Sequence, residues 1–454
     1  MNVPIENLSQ IEYCVAIVNP ENHGIFALSE GDGIQLPKIA VSVTKRPVQQ
    51  LQKAISDQWG FKTIILDLIY SDERGRPCVL AEAIFVPSHL HRDFFSLERL
   101  SGAGISVRER VALQDLFDNS SYLKPLSRLH WLDQARMWIQ NFVSADAKSL
   151  NGEVYQLNAG GGFALAHFGT QEGRGYWLKA VGPPNTHEYA LTLELARILP
   201  DFLPPIVASR KDWNAWVMED FGASFRQELG VAPFEKAVHL MSSLQLQTTS
   251  IIDLLLAAGC ADRRISMLLN QLDGMIEYLE ETMTYQLSTK ASRLGRGELH
   301  QLKSSLLGAC SEMLDLQVPD ALLHGDMNPG NILFNGERCV FIDWAEAFVG
   351  NPFLAFEGLA THLIVTRPGT TSAWIENLRQ LYKREWQSVL SEKRLSRAFC
   401  LTPLIAIASD LLGRADWLHS SRRRNPRFQA YARCLARKMY SIVRERMATE
   451  ALCL

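Results

Sequence analysis

Two hydrophobic rhythms alternate along the chain, and each change of rhythm marks a change of architecture. Strand-length apolar runs dominate the first 85 residues. Residues 12–18 and 24–28 flank Asn19-Pro20-Glu21-Asn22-His23, which predicts a hairpin. Val48, Leu51, Ile55 and Trp59 recur at helical spacing and Gly60 follows, so a helix is predicted over 48–59. Strands are predicted at 63–70 and 79–85, with a turn at Asp72-Glu73-Arg74-Gly75-Arg76-Pro77. Helical spacing returns at 107–117 and 129–143, around the polar Asp118-Asn119-Ser120-Ser121, and sets a domain boundary near residue 120. Trp131, Ala135, Trp138 and Phe142 read as a packing stripe on the second of these helices.

A second β-rich stretch follows. Strands are predicted at 156–159, 164–168, 176–181 and 215–218, with a helix over 187–199 ended by Pro200. From Pro233 onward the period is helical, at 234–247, 251–258, 263–284, 297–316, 374–390, 395–412 and 427–447. One polar interruption breaks that pattern. Leu323-His324-Gly325-Asp326-Met327-Asn328-Pro329-Gly330-Asn331 reads as a turn, and Ile332-Leu333-Phe334 as a strand. Asn335-Gly336 is a strong hairpin signal, 338–342 is the returning strand, and Asp343 ends it. Asp326, Asn331 and Asp343 are thereby expected together at the mouth of one hairpin.

Two carboxylates and a carboxamide have a use in phosphoryl transfer. One carboxylate accepts the proton of an attacking hydroxyl, while the other carboxylate and the amide oxygen hold Mg²⁺ on the phosphates. The plainer reading is an Asx-rich turn capping a hairpin. The whole run decides between them. It resembles the H-G-D-x-x-x-x-N…I-D-W signature of the aminoglycoside phosphotransferase and choline kinase-like families, with every position filled at its spacing.

That resemblance implies an α+β chain with a two-lobed protein kinase-like fold. Its N-lobe spans 146–222 and its mostly helical C-lobe 223–454, after a connecting helix at 121–145. It implies ATP or GTP as phosphate donor, Mg²⁺ as cofactor, and a small-molecule hydroxyl or amine as acceptor. Asp326 then acts as base, with Asn331 and Asp343 as metal ligands. His324 is expected to fix the loop through its ring nitrogens. Gly160, Gly161 and Gly162 join two strands, where backbone N–H groups approach phosphates closely. They lie one strand before Lys179, which is expected to hold phosphates and to be oriented by Glu188 rather than Glu194. Met218, Glu219 and Asp220 are expected to form the hinge, where adenine meets backbone. The chain departs from the family at Gly350-Asn351-Pro352, where relatives show G-D-P, so an acid that braces the catalytic loop is here an amide.

The order β-β-helix-β-β over residues 10–115 resembles a Nudix hydrolase, a small α/β/α fold. Aligned on Gly60-Phe61, Ile39 falls at the opening glycine of the Nudix box, and Lys45 and Ala54 at two of its glutamates. Lys53 takes the arginine, and Asp57 and Gln58 the last two glutamates. One carboxylate remains where Mg²⁺ chemistry needs several. Residues 1–120 are therefore expected to be a catalytically inactive Nudix-like domain for docking, ligand sensing or homodimerisation.

Composition narrows the rest. At 454 residues with 47% hydrophobic and 21% charged, the chain can build several cores. The net charge of −3 gives no reason to expect nucleic acid as a partner. No apolar run approaches membrane-spanning length, Met1 to Gln10 shows no secretory signal, and the eight cysteines are scattered. A cytoplasmic enzyme is expected. Residues 361–454 hold 17 Lys/Arg against 7 Asp/Glu, densest at 421–427, a balance ill-suited to polycationic aminoglycosides. Arg414, Asp416 and Trp417 are candidate pocket residues. The alternative is a non-catalytic nucleotide-binding sensor or scaffold on the same fold; a Nudix hydrolase with a helper domain lacks its glutamates.

Overall fold

The computed structural model describes all residues except 1–9, 31–32, 70–76, 103–104, 119–124, 144–148, 172, 174, 226–231, 368, 415–422 and 453–454. The turn predicted at Asp72–Arg76, the loop at 119–121, and Asp416, Trp417, Ser421 and Arg422 lie outside the described residues. The chain divides into two units. The first comprises Met1–Tyr189 and Pro204–Asp220, the second Ala190–Leu203 and Phe221–Leu454.

In the first unit the apolar run that ends β1 (Gln10–Val18) is buried on both faces, which makes it a central strand. β2 (Ile25–Phe26) returns from it across the predicted hairpin, with Val18 opposite Ile25. β3 (Leu28–Glu30) and β4 (Gly33–Gln35) form a separate ribbon, and β5 (Lys38–Ser42) pairs antiparallel with β1. α1 (Pro47–Trp59) opens on a proline at its first position and stops at Gly60, whose φ of +75° makes a left-handed cap. β6 (Lys62–Ile69) and β7 (Cys78–Phe85) pair antiparallel, and β7 lies parallel to β1. With β8 (Phe94–Phe95) the sheet order is β6-β7-β1-β2-β8, β5 standing beside β1. Val48, Leu51 and Ile55 of α1 pack on Val15, Ile17 and Val79.

The other face of this sheet is covered by later residues. α2 (Val107–Phe117) begins with a capping box in which Ser106 and Glu109 exchange hydrogen bonds. α3 (Trp131–Val143) buries Trp131, Ala135, Ile139 and Val143, whereas Phe142 is 45% exposed. The four-residue step keeps the buried positions on one stripe and turns Phe142 away from it. β9 (Leu150–Asn158), β10 (Phe163–Thr170) and β11 (Tyr176–Val181) form an antiparallel meander, and α4 (His187–Ile198) follows. β12 (Ile206–Arg210) and β13 (Ala215–Glu219) complete a five-stranded sheet in the order β12-β13-β11-β10-β9. Ala16, Leu80, Trp131, Phe168, Leu178 and Trp213 belong to one apolar core, which draws on residues from both sides of position 120.

The second unit is mostly helical. β14 (Ala223–Ser224) leads to α5 (Ala232–Thr248), α6 (Ile252–Ala257), β15 (Ala261–Asp262), α7 (Ile265–Thr284) and α8 (Arg296–Asp315). β16 (Ala321–Leu323), β17 (Ile332–Phe334), β18 (Cys339–Phe341) and β19 (Phe348–Gly350) come next. α9 (Phe353–Thr366), α10 (Ser372–Trp386), α11 (Glu392–Arg414) and α12 (Pro426–Leu452) close the chain. The strands form two small sheets, β14-β17-β18 and β15-β19-β16. α11 is long and apolar enough to cross a membrane by length and composition, but Leu395, Leu404, Ile405 and Leu411 bury it in the core of this unit. The mixture of sheets and helices is α+β.

Candidate active site

The loop between β16 and β17 is fixed by three devices. Gly325 has φ +79°, and a Cβ there would come within 1.9 Å of the Glu346 carbonyl oxygen, so only glycine admits this approach. His324 is buried, its ring lies against Trp344, and its Nε2 donates to the Ile342 carbonyl at 2.8 Å. The Ile342 N–H donates in turn to the Asn331 carbonyl at 3.0 Å. Both ends of the loop are therefore tied to Ile342, the residue that precedes Asp343.

Inside the loop, Asp326 Oδ2 accepts hydrogen bonds from Nδ2 of Asn328 and of Asn331, each at 2.9 Å. Asn331 Nδ2 also donates to the Asp326 carbonyl at 3.0 Å. Both amides therefore converge on one carboxylate oxygen, and the exposed Asp326 keeps Oδ1 for another partner. The same hydrogen bonds turn the Asn331 Oδ1 away from Asp326. Asp343 is half-buried, with φ +70° and ψ +70°. A non-glycine residue there costs on the order of 1 kcal/mol or more, and short polar side chains tolerate it best. The hairpin predicted at Asn335-Gly336 forms between β17 and β18, with Ile332 opposite Phe341.

The first unit holds the remaining sequence-predicted residues. Gly160, at φ +120°, and its neighbours Gly161 and Gly162 lie in the turn between β9 and β10. The turn folds back on the end of β11, where Gly182 N–H donates to the Gly162 carbonyl at 3.0 Å. A Cβ on Gly182 would reach within 1.8 Å of the Gly161 oxygen. Lys179 sits on β11 opposite Leu165, and its Nζ lies 2.5 Å from Glu188 Oε1 on α4. Both are almost fully buried, whereas Glu194 pairs with Arg197 at the surface. Phe163 and Trp216 flank the ammonium at 4.9 Å and 5.5 Å from their ring centres. Met218 is buried at the end of β13. The Glu219 N–H donates to the Pro205 carbonyl and the Asp220 N–H to that of Gly175, both at 2.9 Å. Those two donors are thus engaged within the chain.

Asn351 is buried, and its Oδ1 accepts from the Phe353 N–H at 3.1 Å, so the amide caps the start of α9. Within the second unit a cavity of 590 Å³ opens beside Gly325 and Met327, walled by α9, α11, α12 and Arg263. Arg263 carries no sequence signal of its own, since it follows a two-residue strand. Gly325 does: it is the glycine between His324 and Asp326.

Residues 229–390 match the profile of the family described as "Phosphotransferase enzyme family". The chain thus carries a phosphotransferase domain. No curated protein matches the chain significantly. Among solved structures it is similar to the macrolide 2′-phosphotransferase MphH from Brachybacterium faecium, at 15% identity and a TM-score of 0.43, covering 66% of this chain and 97% of that one. A choline/ethanolamine kinase family protein from Mesorhizobium loti gives 14% and 0.43, with 69% and 99% covered. An ethanolamine kinase from Plasmodium vivax gives 14% and 0.46, with 74% and 95% covered.

Proposed function

We propose that the protein transfers the γ-phosphate of ATP or GTP to a hydroxyl or amine of a small molecule. The observation that carries this reading is the amide pair on Asp326 Oδ2, which leaves Oδ1 to take the acceptor's proton. Phosphoryl transfer asks little covalent chemistry of a protein, so orientation and charge placement are its main tasks. Asp326 orients the attacking group and accepts its proton as the bond to phosphorus forms.

The Asn331 Oδ1 and the Asp343 carboxylate are hard oxygen donors that fit Mg²⁺, and the bonds from Asn331 Nδ2 to Asp326 support Oδ1 as the metal-facing atom. When bound, Mg²⁺ would supply positive charge that offsets the negative charge of the donor's phosphates. Lys179, held by Glu188, contributes a second positive charge to the phosphates, and the 160–162 turn covers them with backbone N–H groups. The N–H groups of Glu219 and Asp220 are engaged within the chain, so adenine at Met218–Asp220 would use other backbone groups of this segment. Residues 1–120 are read as a Nudix-like module without hydrolase chemistry. Its remaining carboxylate, Asp57, is exposed and ion-paired to Lys53 at 2.7 Å.

The test is acceptor-dependent release of ADP or GDP across pooled hydroxyl and amine metabolites, with ³¹P NMR of the product. Asp343→Ala should weaken Mg²⁺-dependent nucleotide binding at least tenfold; unchanged binding reassigns the metal site.

A further inference from the structure

The cavity beside the catalytic loop has a mixed lining. Leu354, Ala355, Ile407, Leu435 and Ile442 make most of its wall apolar, and its volume suits a small organic molecule. The ionisable groups in that wall are Arg263, Lys438, Glu357, Asp410, His362 and Tyr431. They are not equally available to a ligand. Glu357 lies 3.6 Å from Arg379, which stands outside the cavity lining, and burial raises its pKa towards the neutral form. Asp410 Oδ2 accepts a hydrogen bond from the Tyr431 hydroxyl at 2.9 Å.

Arg263 differs. Among the described residues no carboxylate is ion-paired with its guanidinium, since Asp262 pairs with the neighbouring Arg264, although Glu346 and Asp410 act on it from further away. Its Nη2 donates to the Gly413 carbonyl at 3.3 Å, and its plane sits over the Phe348 ring at 4.8 Å. A Cβ at position 413 would come within 2.3 Å of Nη1, so Gly413 leaves the space that the guanidinium fills. A guanidinium offers five N–H donors, and among the described residues one of them is engaged. Burial lowers its pKa, a cost that an anion beside it would relieve.

Arg263 is also rigidly placed. Its N–H donates to the Val349 carbonyl at 2.9 Å, and β19 pairs with β16, the strand that enters the catalytic loop. An anion held by Arg263 is therefore fixed relative to Asp326. We propose that the phosphate acceptor carries a carboxylate or phosphate on an apolar body, and that Arg263 receives this anion in the cavity, with Lys438 at its exposed side. Planar, forked donors suit both anions. The assignment of the cavity to the acceptor rests on the phosphotransfer reading; the anion site itself does not.

The test is titration of the full-length protein with benzoate, phenyl phosphate, benzamide and benzylamine, by ligand-observed NMR or calorimetry. Benzoate or phenyl phosphate should bind saturably at millimolar concentration or below. Arg263→Gln should weaken that binding at least tenfold and Lys438→Gln less so, with benzamide binding unchanged. Asp326→Ala should bind the anions as the wild type does. Equal anion binding by wild type and Arg263→Gln, no saturable anion binding, or tighter binding of benzylamine would each overturn the proposal. If Arg263→Gln unfolds, the Lys438→Gln result and the order of the four probes on the wild type decide. Anion binding without any turnover would remove the phosphotransfer reading and leave the anion site standing.

Discussion

Lys179 Nζ and Glu188 Oε1 meet at 2.5 Å in a site where the lysine is 3% and the glutamate 1% exposed. A pair this buried gives up hydration on both sides, so its net gain is small, but removing one member is costly. Glu188→Ala is expected to destabilise the fold by about 3–5 kcal/mol in denaturant titrations. Lys179→Met with Glu188→Leu should recover most of that stability, yet bind nucleotide at least tenfold more weakly. Wild-type nucleotide affinity in the double variant would remove Lys179 from the phosphate site.

Gly325→Ala places a methyl group where the Glu346 carbonyl already stands. The loop must shift to accommodate it, and the alanine would also sit at positive φ. Loss of about 2–4 kcal/mol of stability is expected, together with at least a hundredfold loss of turnover. Asn328→Ala, which removes one amide from Asp326 without a backbone clash, should cost turnover with little change in melting temperature. Near-native turnover in Gly325→Ala would mean that the loop is not held at Glu346.

Glu82 supplies a pH dependence. It lies on β7, 6% exposed, and accepts a hydrogen bond from the His130 N–H at 3.0 Å. Burial is the largest influence on its carboxyl and pushes it up to about 7, against the lowering effect of His130; Asp133 adds a smaller upward push. The folded state thus holds a proton that the unfolded chain releases near pH 4.5. The resulting stability is complete below pH 4.5, declines as pH rises towards 7, and is absent above it. The decline attributable to Glu82 is at most about 3 kcal/mol. Glu82→Gln should flatten this part of the profile and stabilise the protein at pH 8. An unchanged profile would place the titration elsewhere.

Gln156 closes two hydrogen bonds on the main chain of Ile65, accepting from its N–H at 2.9 Å and donating to its carbonyl at 2.7 Å. It is 2% exposed, and Ala159 just beyond it packs into the core around α1. Gln156→Ala strands two buried main-chain groups, so a cost of about 2–4 kcal/mol is expected. Hydrogen exchange at Ile65 should accelerate in the variant; protection equal to wild type would mean that water replaces the amide.

The contrast between Gln156 and Asp326 shows what the sequence makes legible. Asp326, Asn331 and Asp343 are brought to one hairpin by local chemistry: a polar turn, an Asn-Gly pair, and two short apolar strands. β11 likewise begins and ends where its apolar run does, at Tyr176 and Val181. Gln156 has no such signal, because its partner lies 91 residues away and a buried glutamine looks polar in any window. β9 starts at Leu150 rather than 156 for a related reason. Asn151, Glu153 and Tyr155 are exposed along an edge strand, so no apolar alternation announces it. The core shared by Ala16, Trp131 and Leu178, and the cavity role of Arg263, arise from tertiary packing and leave no periodic trace.

Asp326→Asn isolates the proton transfer proposed for Asp326. The amide preserves shape and hydrogen bonding but cannot serve as base. Turnover with the identified acceptor should fall by about a hundredfold or more, while Mg²⁺-nucleotide affinity stays within twofold of wild type. Turnover near the wild-type rate, with the fold intact, would mean that another group takes the proton.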